Sequence, residues 1–442
     1  MTTRRTFILG LTALGTLAAV SAPALAAGFT AQGATAITRV YGDGLRFVAV
    51  AIAYSGAVSA SDLAAADFRV EGRTVVDVYP ATTSDPASRA DSGSVVIIAL
   101  SDADPAAKLA VEPEQSEPPA GAPQNGGKPR WKAGDPNISD TTWATPQARV
   151  EVAAIAAANG DTLAATMIET SAVKNLVLDD FEQRVWNDPE TGDTLPYNLF
   201  VPKGYDPARS YPLVNFMHDA GATSEDPLFT LKQGLGAIAW ASPEDQARRP
   251  CFVLAPQFAE IIADDDNNTS SMLDTTINLI RALAREFSID TGRLYTTGQS
   301  GGGMLSIAMN IKYPDFFAAS FLVACQWGPG LVAPMAGSRL FIVTSQDDPG
   351  AFPGQNAVTE ALEDAGATVS RAIWDSTWST EQFRFAFDDL DAEGSRINYV
   401  SFAEGTVIPA GASTAGASGH RNTWRVAYTI EPIREWIFRA DA

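Results

Sequence analysis

Two histidines, His218 and His420, and two cysteines, Cys251 and Cys325, are all that 442 residues contain of either type. Neither histidine sits in a metal-ligand spacing, so neither a catalytic metal nor another cofactor is expected. Two cysteines exclude a disulfide-rich scaffold. Basic residues are also scarce: 31 Lys and Arg stand against 52 Asp and Glu, a formal net charge of −21. Such a chain is repelled by nucleic acid and by anionic lipid, and neither is expected as a partner. Beyond the first residues no apolar run reaches membrane length. There is no internal repeat, which excludes a propeller or a solenoid.

What is present begins with MTTRRTFILGLTALGTLAAVSAPALAAGF. A basic start, a short apolar run broken by Gly and Pro, and Ala24-Leu25-Ala26 form a secretory signal with an A-x-A cleavage site. Thr3-Arg4-Arg5-Thr6-Phe7-Ile8-Leu9 resembles a twin-arginine export signal. Residues 1–27 are therefore expected to be removed, leaving a periplasmic or extracellular protein with no membrane anchor. Cleavage removes Arg4 and Arg5 and no acid, so the mature chain is more acidic still.

At this length two domains are the natural expectation. From residue 28 to 178 the texture is β. TRVYGDGLRFVAVAIAY reads as two strands around Gly42-Asp43-Gly44, and further strand-like runs are Phe68–Tyr79, Ser94–Leu100 and Ala148–Ala156. Between them VEPEQSEPPAGAPQNGGKPRWKAGDPN reads as a long mobile loop. A small all-β sandwich is expected, with no residue set that looks like chemistry. A fragment starting near Asn175 is accordingly expected to hold the whole site.

Residues 179–442 change character. An extended hairpin, Phe181–Trp186 and Leu195–Val201, leads into apolar runs that alternate with amphipathic helices. The runs are YPLVNFMH, CFVLAPQ, RLYTTG, AASFLVACQW, RLFIVTSQ and INYVSFA. Leu273, Ile277, Ile280, Ala284 and Phe287 share one helical face. A closing helix carries Trp424, Tyr428, Ile433 and Ile437. Near-continuous apolar strands alternating with helices predict an α/β fold, a mostly parallel sheet covered on both faces.

The chemistry is expected at TTGQSGGGMLS, Thr296–Ser306. RLYTTG is a strand, MLSIAMNIKYP a helix, and Gly298-Gln299-Ser300-Gly301-Gly302 is G-x-S-x-G on the turn between them. That context is a nucleophile elbow, which exposes a serine hydroxyl at the C-terminal edge of a sheet. The glycines let strand and helix approach each other. A serine needs a base to take its proton. His420 is the only histidine after Ser300, which suits the chain order nucleophile, acid, histidine. The acid is expected in the turn after RLFIVTSQ, with Asp348 preferred and Asp347 the rival; one carboxylate must orient the imidazole. The loop after YPLVNFMH supplies one oxyanion donor and the residue after the nucleophile the other. Gly301 is the second of these, and Ala220 precedes Gly221 as choice for the first. His218 is read as a brace of that loop, the alternative being that it is the base. Trp327, Phe258 and Trp424 neighbour these turns. The first two are expected to line the substrate pocket, while Trp424 is equally well read as core. The run Asp264-Asp265-Asp266-Asn267-Asn268 is set down as a solvated loop ahead of a calcium loop.

These motifs together resemble the α/β-hydrolases of the secreted esterase group, which includes poly(3-hydroxybutyrate) depolymerase-like and feruloyl-esterase-like enzymes and chains described as peptidases. The likeness rests on His218–Gly221 for an H-G-x-G loop, Ala255-Pro256-Gln257, Gly298–Gly302, Asp348-Pro349 and His420. It departs at Asp219, where glycine is usual. It implies an α/β-hydrolase fold preceded by a small all-β sandwich, since some members carry an N-terminal immunoglobulin-like domain. In the sheet order usual for that fold the strands of Cys251 and Cys325 are not neighbours, so no disulfide is expected. The resemblance implies a secreted serine hydrolase that cleaves carboxylic esters, polymeric ones included, through an acyl-enzyme. A peptidase of the same fold and a non-catalytic binding protein are the alternatives.

Overall fold

The computed structural model describes residues 28–111, 132–414 and 417–439. The expected export signal and most of the Pro- and Gly-rich loop lie outside them. Among the described residues no helix is long and apolar enough to cross a membrane.

The N-terminal region is built on two main β-sheets, with two short two-stranded ribbons beside them. Ala31–Tyr41 and Gly44–Ser59 pair antiparallel around a tight turn and form the centre of a five-stranded sheet with 172–175, 92–100 and 75–81. A three-stranded sheet of 166–169, 149–152 and 68–70 covers it. Val50, Ile52, Val96 and Ile98 from the first sheet and Phe68, Val70, Val150 and Val152 from the second lie in one apolar core. Two expected strands are broken. Phe68–Tyr79 turns at Glu71-Gly72-Arg73 and feeds both sheets, because Gly72 adopts a positive φ of 68°. Ala148–Ala156 divides into 149–152 and 155–156.

The C-terminal region is built on nine strands: β1 (Phe181–Asn187), β2 (Thr194–Phe200), β3 (Tyr211–Met217), β4 (Phe252–Pro256), β5 (Ile289–Gln299), β6 (Ala319–Val323), β7 (Leu340–Ser345), β8 (Val369–Trp374) and β9 (Ile397–Phe402). Their spatial order is β1-β2-β4-β3-β5-β6-β7-β9-β8. The β1–β2 and β2–β4 pairs are antiparallel and every other pair is parallel. All seven residues of β3 are buried, as a strand covered on both faces requires. Successive side chains go to opposite sides. Val214, Phe216, Phe321 and Val343 enter the core that continues into the N-terminal region, while Leu213, Met217, Leu322 and Ile342 enter a second core on the other face.

Strand β8 has no counterpart among the expected runs. It is an edge strand with exposed Arg371 and Ile373, so it alternates instead of reading as a continuous apolar run. The helix Met272–Glu286 ends one residue before Phe287, which turns extended and packs on Phe252. The single closing helix is two, Ser418–Ala427 and Glu431–Ile437, with Pro432 in the first turn of the second. A proline there is tolerated because its missing N–H would have no helical partner. Cys251 and Cys325 are free and buried, just before β4 and just after β6, two strands that β3 and β5 separate.

Candidate active site

Strand β5 runs into the helix Gly301–Lys312 through Ser300, which has φ 50° and ψ −121°. A non-glycine residue there is strained by about 1–3 kcal/mol, and the surroundings must hold it. They do so in two ways. The N–H of Ser300 donates to Val323 O at the end of β6 (3.0 Å), and Met304 N–H donates back to Ser300 O (2.9 Å). At Gly302 the helix presses so closely on β3 that a Cβ would lie 2.0 Å from Met217 O. Only glycine fits, and the close approach lifts the hydroxyl out of the sheet edge.

His420 stands in the first turn of the helix Ser418–Ala427, not in a loop ahead of it. Its Nε2 is 2.9 Å from Ser300 Oγ and its Nδ1 is 2.5 Å from Asp348 Oδ2. Asp348 is 3% exposed, and its other oxygen accepts the N–H groups of Gly350 and Ala351, both at 3.0 Å. Burial opposes its ionisation, but the hydrogen bond and charge of His420 and those two N–H donors outweigh it, holding the carboxyl below its usual range. Asp347 turns the other way, and its carboxylate accepts from Gly405 N–H.

The loop after β3 holds the remaining polar groups. His218 is fully buried. Its Nδ1–H donates to Asp219 O (2.8 Å), and its Nε2 accepts from Phe258 N–H (3.0 Å). Burial pushes its pKa down, so it is neutral, and both nitrogens are occupied by backbone groups. Asp219 caps the short turn Ala220–Ala222: one carboxylate oxygen accepts Gly221 N–H (2.8 Å) and the other accepts from Gln299 Nε2 (2.9 Å). The N–H of Gly221 is therefore engaged. Among the described residues the N–H groups of Ala220 and Gly301 have no acceptor, and a methyl on Gly301 would lie 3.6 Å from Ala220 N.

Ser300, His420, Asp348, Gly301 and Ala220 thus border one cavity of about 400 Å³, closed by Ala263, Asp264, Asp265, Met304, Gln326 and Ala351 among others. Trp327 and Phe258 do not line it, which corrects the expectation for both. Trp327 is 6% and Phe258 1% exposed, each packed in the second core, and Phe258 lies against the His218 ring. Trp424 is also buried, edge-on to His420. Met304 and Gln326, absent from the sequence reading, take the lining positions; Met304 sits one turn into the elbow helix, a placement the G-x-S-x-G spacing already contains. The Asp264 carboxylate is filled by the N–H groups of Ala133, Asp266 and Asn268, which serve it as a turn cap. A larger hollow of about 680 Å³ lies beside β8, between Ile373, Trp378 and Phe385, and has no nucleophile next to a base.

Residues 33–164 match the family model of the esterase Ig-like N-terminal domain. A solved thermostable esterase superposes on nearly the whole molecule, with 25% identity, 92% of this chain and 99% of that one covered, and a TM-score of 0.73. The chain has the α/β-hydrolase fold and is similar to esterases. Its N-terminal region is the immunoglobulin-like domain of that group. More distant is a feruloyl esterase module from Clostridium thermocellum complexed with sinapinate, with 14% identity, 57% of this chain and 86% of that one covered, and a TM-score of 0.39. An acetyl xylan esterase from Aspergillus awamori shows 15% identity over 42% of this chain and 81% of its own, with a TM-score of 0.32. No curated protein matches this α/β-hydrolase significantly.

Proposed function

We propose that this protein is an exported serine esterase that works through an acyl-enzyme. The observation that carries the reading is the unbroken hydrogen-bonded line from Ser300 Oγ through His420 to the buried Asp348, beside two unpartnered N–H groups. Ser300 attacks the ester carbonyl as His420 Nε2 takes its proton. Asp348 keeps the imidazole in the tautomer with hydrogen on Nδ1 and stabilises the cation that forms. The carbonyl oxygen gains negative charge between the N–H groups of Gly301 and Ala220, each worth roughly 3–4 kcal/mol at the transition state. His420 then protonates the departing alcohol, and water attacks the acyl-enzyme by the same route in reverse.

The cavity speaks to the acyl group. Its wall offers Ala, Met and Pro side chains beside the polar Asp264, Asp265 and Gln326 and, His420 apart, no aromatic ring among the described residues. A short aliphatic acyl chain suits it better than a feruloyl group, which would look for a ring to stack on. Polyester with short acyl units fits the same description. Export rests on residues 1–27, and the secreted protein is expected to begin at about Gly28, close after the Ala24-Leu25-Ala26 pattern.

The test is Ser300→Ala with a panel of p-nitrophenyl esters of rising acyl length, a feruloyl ester, a polyester film and a peptide amide. Turnover of the short esters is expected to fall on the order of 10⁶-fold, with folding unchanged. A fluorophosphonate is expected to label Ser300 alone. A variant retaining a tenth of the wild-type rate would remove this mechanism.

A further inference from the structure

The oxyanion loop is held by a part of the chain that lies before the catalytic domain. Residues 133–139 run across the C-terminal region as a strap. Gly134 N–H donates to Ile261 O (2.8 Å), Ile261 N–H to Asp135 O (2.9 Å), Asn137 N–H to Ala259 O (3.2 Å) and Ser139 N–H to Thr223 O (2.8 Å). At the centre of this strap the side chain of Asn137 turns to the loop after β3. Its Nδ2 donates to Ala220 O (2.9 Å) and to Thr223 Oγ1, and Thr223 Oγ1 in turn donates to Ala220 O (3.0 Å).

The geometry singles out one peptide unit. The carbonyl of Ala220 and the N–H of Gly221 belong to the same rigid plane. Asn137 holds the carbonyl end, and the Asp219 carboxylate holds the N–H end (2.8 Å). With that plane fixed on both sides, the loop cannot flip to present Gly221. The Ala220 N–H is left free on the cavity wall beside Gly301. An oxyanion donor lowers the barrier only if it is aimed before the charge appears, because reorganising it during the reaction would cost what it gains.

We propose that Asn137 is a positioning residue of the oxyanion hole, so that a segment N-terminal to the catalytic domain completes the site. This rests on the esterase reading above. The distant side chain acts on the transition state and not on the bound ester, so its loss falls on kcat and spares KM.

The experiment measures kcat and KM for p-nitrophenyl acetate, together with the affinity of an alkyl boronic acid. The tetrahedral adduct of that acid places an oxygen in the oxyanion hole. Asn137→Ala is expected to lower kcat about tenfold or more, less than the 10²–10³ of a lost donor because Thr223 still reaches the carbonyl. KM should stay within about threefold, and boronate affinity should fall in parallel with kcat. Asn137→Asp should fall further, since a carboxylate facing the Ala220 carbonyl donates nothing and repels it. Asn137→Ser keeps a short donor and provides the second variant should the alanine protein not fold; it is expected to retain more kcat than Asn137→Asp. Ile138→Ala, on the same strap with its side chain exposed, is expected to match wild type. An Asn137→Ala protein with kcat within about twofold of wild type, an Asn137→Asp protein no slower than Asn137→Ser, or a loss carried entirely by KM, overturns the proposal. Failure of the esterase reading is distinct: wild-type protein would then neither turn over the ester nor accept the fluorophosphonate at Ser300.

Discussion

The immunoglobulin-like region and the hydrolase region divide their labour unevenly. Every described group that lines the Ser300 cavity comes from the hydrolase region. Yet the apolar cores do not divide at the same boundary. One face of the hydrolase sheet packs into a core of its own, whereas the other face shares a single core with Phe29, Val40 and Leu45 of the immunoglobulin-like region. The contacts extend to the site itself. Asn137 bonds the Ala220 loop, Trp143 meets Phe229 edge-on at 5.6 Å, and the Gly42 turn abuts the helix that carries His420. A region without chemistry of its own can still set the geometry of a neighbour's chemistry, because packing and hydrogen bonds do not respect domain boundaries.

The sharpest way to test that division starts inside the hydrolase region. Asp348→Asn is expected to lower kcat by about 10⁴, the cost of presenting the wrong imidazole tautomer. Asp347→Asn should change it only a few-fold, because that carboxylate caps Gly405 N–H. Kinetics on one short ester separates the two, and a reversed order would reassign the acid. The same variant reads out in pH. The Asp348 carboxyl titrates below its usual value in the folded protein, so the folded state binds its proton less readily than the unfolded chain. Its stabilisation is therefore complete above the unfolded pKa of about 3.9 and is lost as pH falls through the lower folded value. In thermal unfolding the gap between wild type and Asp348→Asn should narrow below about pH 4.

Removing the immunoglobulin-like region is expected to have the next largest effect. A fragment starting at Asn175 loses the strap and uncovers the face that carries Val214 and Phe216. It should aggregate or bind a hydrophobic dye, and any soluble fraction should be slower by about 10²-fold, the size of a lost oxyanion donor. A soluble fragment with full activity would show that the hydrolase region stands alone.

The smallest effect is expected at the seam. A methyl on Gly42 would lie 2.6 Å from Arg425 O, so the turn or the His420 helix must give way. Gly42→Ala should cost about 1–3 kcal/mol of stability by overpacking, seen as a fall in Tm of a few degrees. Because Arg425 shares a helix with His420, kcat should fall a few-fold as well; a shift in Tm alone would confine the seam to stability.

Much of this molecule was legible in its residues. Continuous apolar runs marked the central strands, the glycines around Ser300 marked the elbow, and two histidines in the whole chain left one in the right order. The edge strand β8 was not legible, because an exposed edge alternates and carries charge. Trp327 and Phe258 misled for a related reason: proximity to a catalytic turn in sequence says nothing about which face of the backbone a large ring takes.

Composition, periodicity and motif spacing by themselves determined the fold class and singled out the candidate nucleophile and the candidate base, since these depend on local geometry and chain order. Only the tertiary structure showed which of Asp348 and Asp347 faces His420, which of the Ala220 and Gly221 N–H groups is already engaged, and that the segment before the hydrolase region reaches the Ala220 loop. Adjacent residues in a turn point in opposite directions, and which one faces the imidazole depends on backbone angles that the whole surrounding packing sets. The bond from Asn137 to Ala220 spans 83 residues, a separation across which no local pattern acts.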